Sequence, residues 1–142
     1  MTQRIQEAYE FRSAMEQPIH SDDPKVIQGQ LDLIFEEYNE FCCEVETNGA
    51  RVDQLKELAD LVYVCYQFAA ARGWDLDQAL ERVHQSNMTK LVDGKCLKNS
   101  AGKVLKGPDY KPPFLNDLVR TYDRICKPYC LHWPYSILDR QP

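Results

Sequence analysis

Residues 61–71 place the strongest restriction on the fold, because all of them except Gln67 are apolar. They continue a helical stripe of apolar residues that begins at Leu55, so we predict one helix from about Val52 to Arg72 that ends at Gly73. A helix that is apolar on every face must be buried on every side. The sequence therefore predicts a helical protein in which this helix is central.

Three further helices complete a predicted all-α fold. The first covers residues 3–16, and the fourth follows Trp74, with Asp75 as its cap, and runs to about residue 91. Between them, Asp23 and Pro24 form a favourable helix start, and a 3.6-residue apolar period predicts a helix to residue 46. Glycines and prolines then predict a short hairpin or ordered loop around Val104 and Leu105, and a last helix over residues 115–126.

The length of the chain, 142 residues, fits one domain. One layer of four helices cannot cover the apolar helix alone, so we expect a homodimer or homotetramer built around the central helices. No run of about 18 apolar residues indicates a membrane span, and the N-terminus lacks the apolar core of a signal peptide. The sequence therefore predicts a cytoplasmic protein with no membrane partner.

Charge is unevenly distributed along the chain, whose net charge is −5. Residues 1–89 carry 17 acidic and 7 basic side chains, whereas residues 90–111 carry six lysines and two aspartates. An acidic body argues against nucleic acid as a partner, since such binding depends on neutralising phosphates. Acidic clusters beside a lysine-rich segment fit a metal–phosphate ligand, although charge alone favours an ordinary solvated surface.

Four carboxylates are matched across the turn at Asn48-Gly49. Glu37 and Glu40 precede it by the same distances at which Glu57 and Asp60 follow it. A short connection makes the two helices antiparallel, so these four side chains are expected to converge at one level. Mutual repulsion would be relieved by a hard cation, and oxygen-only ligation indicates Mg²⁺ or Mn²⁺. Solvated positions on amphipathic helices are the alternative.

The carboxylates also carry a family resemblance. Glu36-Glu37-x-x-Glu40, followed after sixteen residues by Glu57-x-x-Asp60, resembles the signature of the all-α nucleoside triphosphate pyrophosphohydrolases. These include MazG-like, phosphoribosyl-ATP pyrophosphohydrolase-like and dimeric dUTPase-like enzymes. Three further stretches resemble small single-domain MazG-like proteins, many of them from phages: Tyr9–Arg12 with Gln17-Pro18, Ser86–Leu91, and Gly102–Tyr110 with Pro112-Pro113.

This resemblance covers residues 5–115 and implies a four-helix MazG-like bundle as a domain of residues 1–115. Residues 116–142 would then add a C-terminal helix and an irregular tail packed on the same domain. The resemblance implies helical subunits that dimerise, often as tetramers, and two or more Mg²⁺ ions per site with Mn²⁺ as a substitute. It implies metal ligation by Glu37, Glu40, Glu57 and Asp60, with Glu36 as an extra ligand or the water-orienting base.

Five other residues are candidates for substrate binding. Asn87 and Lys90 match positions near the substrate phosphates, and Lys103 and Lys106 would reach the phosphates from their loop. Trp74 is a candidate to stack on the base. The alternatives are a helix-end cap for Asn87, solvated side chains for the lysines, and a core aromatic for Trp74.

The resemblance implies Mg²⁺-dependent hydrolysis of nucleoside triphosphates to the monophosphate and pyrophosphate. Phosphoryl transfer needs mainly positioning and charge neutralisation, so no covalent nucleophile is required. Phage relatives suggest deoxynucleotides, with dGTP or GTP favoured, and a host-cytoplasmic location for a phage protein.

Two other functions remain open. The same residues would serve a house-cleaning hydrolase of noncanonical or alarmone nucleotides. A non-catalytic helical interaction module would instead carry its acids as surface residues, with zinc at Cys126, Cys130 and His132. Magnesium-dependent turnover separates this module from both enzymes.

Overall fold

Two long antiparallel helices form the framework of the computed structural model, which describes residues 3–119. Helix α1 spans Gln3–Ala14, α2 spans Pro24–Glu46, α3 spans Arg51–Arg72 and α4 spans Leu76–Met88. The predicted all-α class with four main helices is therefore confirmed. None of the helices described combines the length and apolarity needed to cross a membrane.

Three predicted helix caps are also confirmed, whereas α1 ends at Ala14 rather than residue 16 and α4 ends at Met88 rather than about residue 91. The Asp23 side chain accepts a hydrogen bond from the Lys25 backbone N–H (2.9 Å), and Pro24 is the first residue of α2. Gly73 ends α3 with a left-handed φ of 75°, a conformation that glycine adopts without steric cost. Asp75 caps α4 by accepting a hydrogen bond from the Gln78 N–H (3.0 Å).

The hydrophobic core lies where α1 crosses the second half of α3. Ile5 and Ala8 of α1 pack against Tyr66, Ala69 and Ala70 of α3, and all five are buried. Alanine leaves little side chain between the two helix backbones, which allows them to approach closely. This core fixes α1 along α3.

Asp77, on α4, connects three helices. Its side chain accepts one hydrogen bond from the Ile5 N–H at the start of α1 (3.0 Å) and another from the Tyr66 hydroxyl of α3 (2.8 Å). Burial, followed by this hydrogen bond, raises the pKa of Tyr66 to about 12. The Asp77 carboxylate thus connects the first turns of α1 and α4 to Tyr66 in the second half of α3.

The prediction that α3 is buried on every side is confirmed only in part within the single chain. Ala69, Ala70 and Ala71 are buried, but Val62 is 49% exposed and Tyr63 is 41% exposed. The difference arises because α2 and α1 cover α3 whereas α4 packs on α1. Large apolar side chains consequently remain exposed on both long helices, namely Leu33, Phe35, Tyr38, Val45, Val52, Leu55, Leu58, Val62 and Tyr63.

The lysine-rich segment after α4 forms the short hairpin that was predicted there. Strand β1 (Leu91–Val92) pairs antiparallel with β2 (Lys95–Cys96), and a bridge between Lys98 and Val104 extends the loop. The strands lie earlier than Val104 and Leu105. Of the predicted last helix, a 3₁₀ turn at Asn116–Leu118 is described. The described part of the predicted helix stops there, because Val119 has an extended backbone. Residues 120–126 and the Cys126, Cys130 and His132 set lie outside the described residues.

Candidate metal centre and active site

Three of the four matched carboxylates meet between α2 and α3. Glu37 and Glu40 of α2 and Glu57 of α3 each place a carboxylate oxygen within 4.8 Å of the others. The antiparallel hairpin produces this arrangement, because residues at equal distances from its turn lie side by side. We call these three side chains the carboxylate cluster.

Asp60, the fourth predicted ligand, lies one turn beyond Glu57 and is linked to it through Lys56. The Lys56 ammonium nitrogen is 3.0 Å from Glu57 Oε1 and 3.0 Å from Asp60 Oδ2. These hydrogen bonds, first to Asp60 and then to Glu57, raise the pKa of Lys56. A cation therefore already lies against two carboxylates of the site.

Sequence reasoning missed Lys56. A signal was available, because a lysine four residues before Asp60 is correctly spaced for an ion pair on one helix face. Such pairs are common on solvated helices, so the spacing alone could not distinguish a site residue from an ordinary surface lysine.

Electrostatics make the carboxylate cluster a suitable cation site. Burial, the negative charge of Glu40 and that of Asp60 are the main causes that raise the pKa of Glu37, whereas Lys56 lowers it. A divalent cation would offset this repulsion. The cluster offers only carboxylate oxygens, the donor type preferred by Mg²⁺ and Mn²⁺, so the residues present fit such an ion.

Glu36 is exposed and precedes Glu37 in α2. Successive residues of an α-helix point about 100° apart, so its side chain leaves the helix beside the cluster rather than within it. This position suits a group that contacts solvent at the edge of the site.

The four predicted phosphate-binding residues lie on α4 and in the segment after it. The Asn87 carbonyl accepts a hydrogen bond from the Lys90 N–H (3.1 Å), and the Lys103 N–H donates to Asn99 Oδ1 (2.9 Å). The Lys106 ammonium lies 4.5 Å from the centre of the Tyr110 ring. Within residues 3–119, no hydrogen bond or ion pair joins these four side chains to the carboxylate cluster.

Trp74, the candidate for base stacking, packs at the other end of α3. Its ring centre is 5.7 Å from that of Phe68 and 5.1 Å from the Arg72 guanidinium carbon, and the ring packs against the hydrophobic core. It follows Asp60 by fourteen residues, about 20 Å along a helix. These contacts correspond to the alternative of a core aromatic.

Comparison with protein families bears on the reaction. The model of the family described as phosphoribosyl-ATP pyrophosphohydrolase matches residues 7–87, more than half of the chain. The chain belongs to this family. The match makes it a member of the MazG-like all-α nucleotide pyrophosphohydrolase superfamily. No curated protein matches the chain.

Family membership implies an enzyme that hydrolyses pyrophosphate bonds in nucleotide-like substrates, and enzymes of this family typically depend on a divalent metal. The matched range contains the carboxylate cluster, Glu36 and Asp60. It ends at Asn87, so Lys90, Lys103 and Lys106 lie beyond it.

Proposed function

We propose that this phosphoribosyl-ATP pyrophosphohydrolase family member hydrolyses nucleoside triphosphates to the monophosphate and pyrophosphate. Two or more Mg²⁺ ions per site would serve as cofactor, and Mn²⁺ would substitute. The carboxylate cluster carries the proposal, because its three carboxylate oxygens lie within 4.8 Å of one another and a divalent cation bound between them would offset their repulsion. The phosphates of a nucleotide carry the negative charge that such a cation attracts.

Each acidic residue has a proposed role. Glu37, Glu40, Glu57 and Asp60 hold the ions, and bound Mg²⁺ supplies neutralisation of phosphate charge and a lowered pKa for water. Glu36, exposed at the edge of the cluster, accepts a proton from the attacking water. It orients that water for in-line attack on the α-phosphorus.

The remaining substrate contacts are proposed from charge. Asn87 and Lys90 at the end of α4, with Lys103 and Lys106 in the following segment, hold the departing pyrophosphate. We further propose a deoxynucleotide substrate, with dGTP favoured, and membership of the small phage-type group.

The bond that is cut can be tested with isotopically labelled water. Attack on the α-phosphorus releases equal amounts of nucleoside monophosphate and pyrophosphate. Turnover in ¹⁸O-water should therefore place the label on the monophosphate, which mass spectrometry of both products would show. Orthophosphate and nucleoside diphosphate as first products, or label confined to pyrophosphate, would exclude attack at this position.

The exposed apolar residues of α2 and α3 support a proposed homodimer or homotetramer. Leu55 is 65% exposed and Val62 is 49% exposed in the single chain. Leu55, Leu58 and Val62 recur at helical spacing along α3, and large exposed apolar patches are rare on monomeric proteins. A second copy of the same hairpin offers an equally apolar partner, and closed symmetric assemblies pair identical surfaces in this way.

Sedimentation velocity at micromolar concentration should detect this oligomer. Leu55→Glu should shift the protein towards monomer while circular dichroism retains the helical signal, because a buried unpaired charge opposes association. Leu97→Glu changes an exposed leucine in the hairpin segment instead and should leave the oligomer intact. A wild-type protein that sediments as a monomer contradicts the proposal.

A further inference from the structure

A layer of buried polar side chains lies between α1, α2 and α3. It consists of Arg12, Gln30 and Gln67, which are 1%, 8% and 4% exposed. The Arg12 guanidinium donates hydrogen bonds to the Pro18 carbonyl (2.8 Å), Gln30 Oε1 (3.1 Å) and the Gln67 carbonyl (3.5 Å). We call these three side chains the polar layer.

The polar layer has unused hydrogen-bonding capacity. All three acceptors around Arg12 are neutral oxygens, and no carboxylate within residues 3–119 forms an ion pair with it. Both side-chain atoms of Gln67, Nε2 and Oε1, are buried without a hydrogen-bond partner. A buried amide left unpaired is destabilising, so a ligand that pairs with it recovers that free energy.

The polar layer lies in line with the carboxylates. Gln30 precedes Glu37 by seven residues on α2, and Gln67 follows Asp60 by seven on α3. Seven residues are two helical turns, which keeps each pair on the same helix face at a distance of about 10 Å. In a nucleotide, the sugar separates the α-phosphate from the base by a comparable distance.

An exposed aromatic side chain lies between the carboxylates and the polar layer. Tyr63 follows Asp60 by one turn, is 41% exposed, and contacts Phe11 edge to face at 5.6 Å between ring centres. The face of such a ring is a platform on which any nucleobase can stack. The carboxylates proposed to bind metal ions, an aromatic ring suited to stacking, and buried hydrogen-bonding side chains thus follow one another along the hairpin.

We propose that Arg12 and Gln67 form a nucleobase subsite for bases that carry an oxo group beside a ring N–H. Guanine, hypoxanthine, uracil and thymine have this edge. The amide of Gln67 offers one donor and one acceptor, which match the oxo oxygen and the ring N–H, and the guanidinium adds a second donor to the oxygen. Adenine and cytosine present an amino group and a bare ring nitrogen; the amide can rotate to pair with this edge, but the amino group meets the guanidinium with a second donor.

The segment that follows α1 lies against one side of the proposed subsite. Residues 13–20 are all exposed, and this segment meets Arg12 through the Pro18 carbonyl. In the proposed complex, the oxo oxygen of the base replaces that carbonyl as the acceptor of the guanidinium, and this short segment moves away from Arg12. This subsite rests on the proposed function, and its test is arranged so that each can fail separately.

Matched substrate pairs test the edge recognition. We compare kcat/KM for dGTP with that for dATP, and kcat/KM for dUTP with that for dCTP. The two bases of each pair have the same ring size and differ in whether an oxo or an amino group occupies the edge that is recognised. Both ratios should be at least about tenfold in the wild type, and Gln67→Leu should lower both by about tenfold, because without the amide the base is no longer held against the guanidinium. Leucine has a similar volume and removes the unpaired amide, so this variant should melt at the same temperature or higher.

Gln28→Leu provides the matched control, because Gln28 is an exposed glutamine on α2 outside the polar layer. It should leave both ratios unchanged. Wild-type ratios near one, or ratios that survive Gln67→Leu, would refute the subsite and assign the polar layer to packing alone.

Calorimetry with dGMP and dAMP in the absence of metal separates this subsite from the proposed reaction. Tighter binding of dGMP that is lost in Gln67→Leu supports the subsite even if no triphosphate is hydrolysed. Equal binding of both monophosphates overturns it even if triphosphates are hydrolysed.

The stacking role of Tyr63 has a different signature. Tyr63→Ala should raise KM for all four substrates by a similar factor, about tenfold, because stacking tolerates every base. Tyr63→Phe should restore the wild-type KM, since its ring is retained. A base-selective effect of Tyr63→Ala, or no effect, would remove Tyr63 from the subsite.

Discussion

Glu57→Gln should lower magnesium-dependent kcat by about a thousandfold, because it removes one ligand charge from a site whose ions contribute several kcal/mol. Glu57 is central to the arrangement. It contributes an oxygen to the carboxylate cluster and also contacts Lys56 (3.0 Å), which in turn contacts Asp60. Pyrophosphate release at saturating substrate, measured across a magnesium titration, would show the loss.

Two controls distinguish this loss from misfolding. Glu46→Gln changes an exposed glutamate at the end of α2, outside the cluster, and should retain wild-type turnover. Without metal, Glu57→Gln should unfold at an equal or higher temperature, since one of the charges that raise the pKa of Glu37 is gone. Near-normal turnover of Glu57→Gln across the magnesium titration would show that the site is wrongly placed.

The helices could be predicted from the sequence because their signals are local. The caps at Asp23 and Asp75 and the stop at Gly73 each act within one turn of the residue concerned. The approach of Glu40 to Glu57 across the hairpin follows equally from a short turn and equal spacing on either side of it. Periodicity and turn length contain enough information for both.

The other features depend on contacts between distant parts of the chain. Gln67 was an exception in an apolar run, and nothing near it in the sequence indicates its contact with Arg12, 55 residues earlier. The packing of Trp74 on Phe68 depends on how the chain turns after α3. The exposure of Val62 depends on which faces α1 and α2 leave uncovered, which helical periodicity does not specify.

Asp77→Ala should lower the free energy of unfolding by about 2–4 kcal/mol, because two hydrogen bonds are lost together. The Tyr66 hydroxyl and the Ile5 N–H would both lose their described acceptor, and Tyr66 is only 8% exposed. An unpaired buried donor costs more than the bond itself contributed. Denaturant unfolding followed by circular dichroism would measure the change.

Asp75→Ala and Tyr66→Phe show whether that loss comes from the three-helix connection. Asp75→Ala removes only the cap of α4, so it should cost about 1 kcal/mol. Tyr66→Phe removes one donor together with its hydroxyl, so it should also cost about 1 kcal/mol in the wild type. In an Asp77→Ala background it should cost less or even stabilise, because the unpaired hydroxyl disappears. If the losses in unfolding free energy simply add in the double variant, Asp77 and Tyr66 act independently. The hydrogen bond of 2.8 Å between them would then contribute nothing to holding α3 against α4.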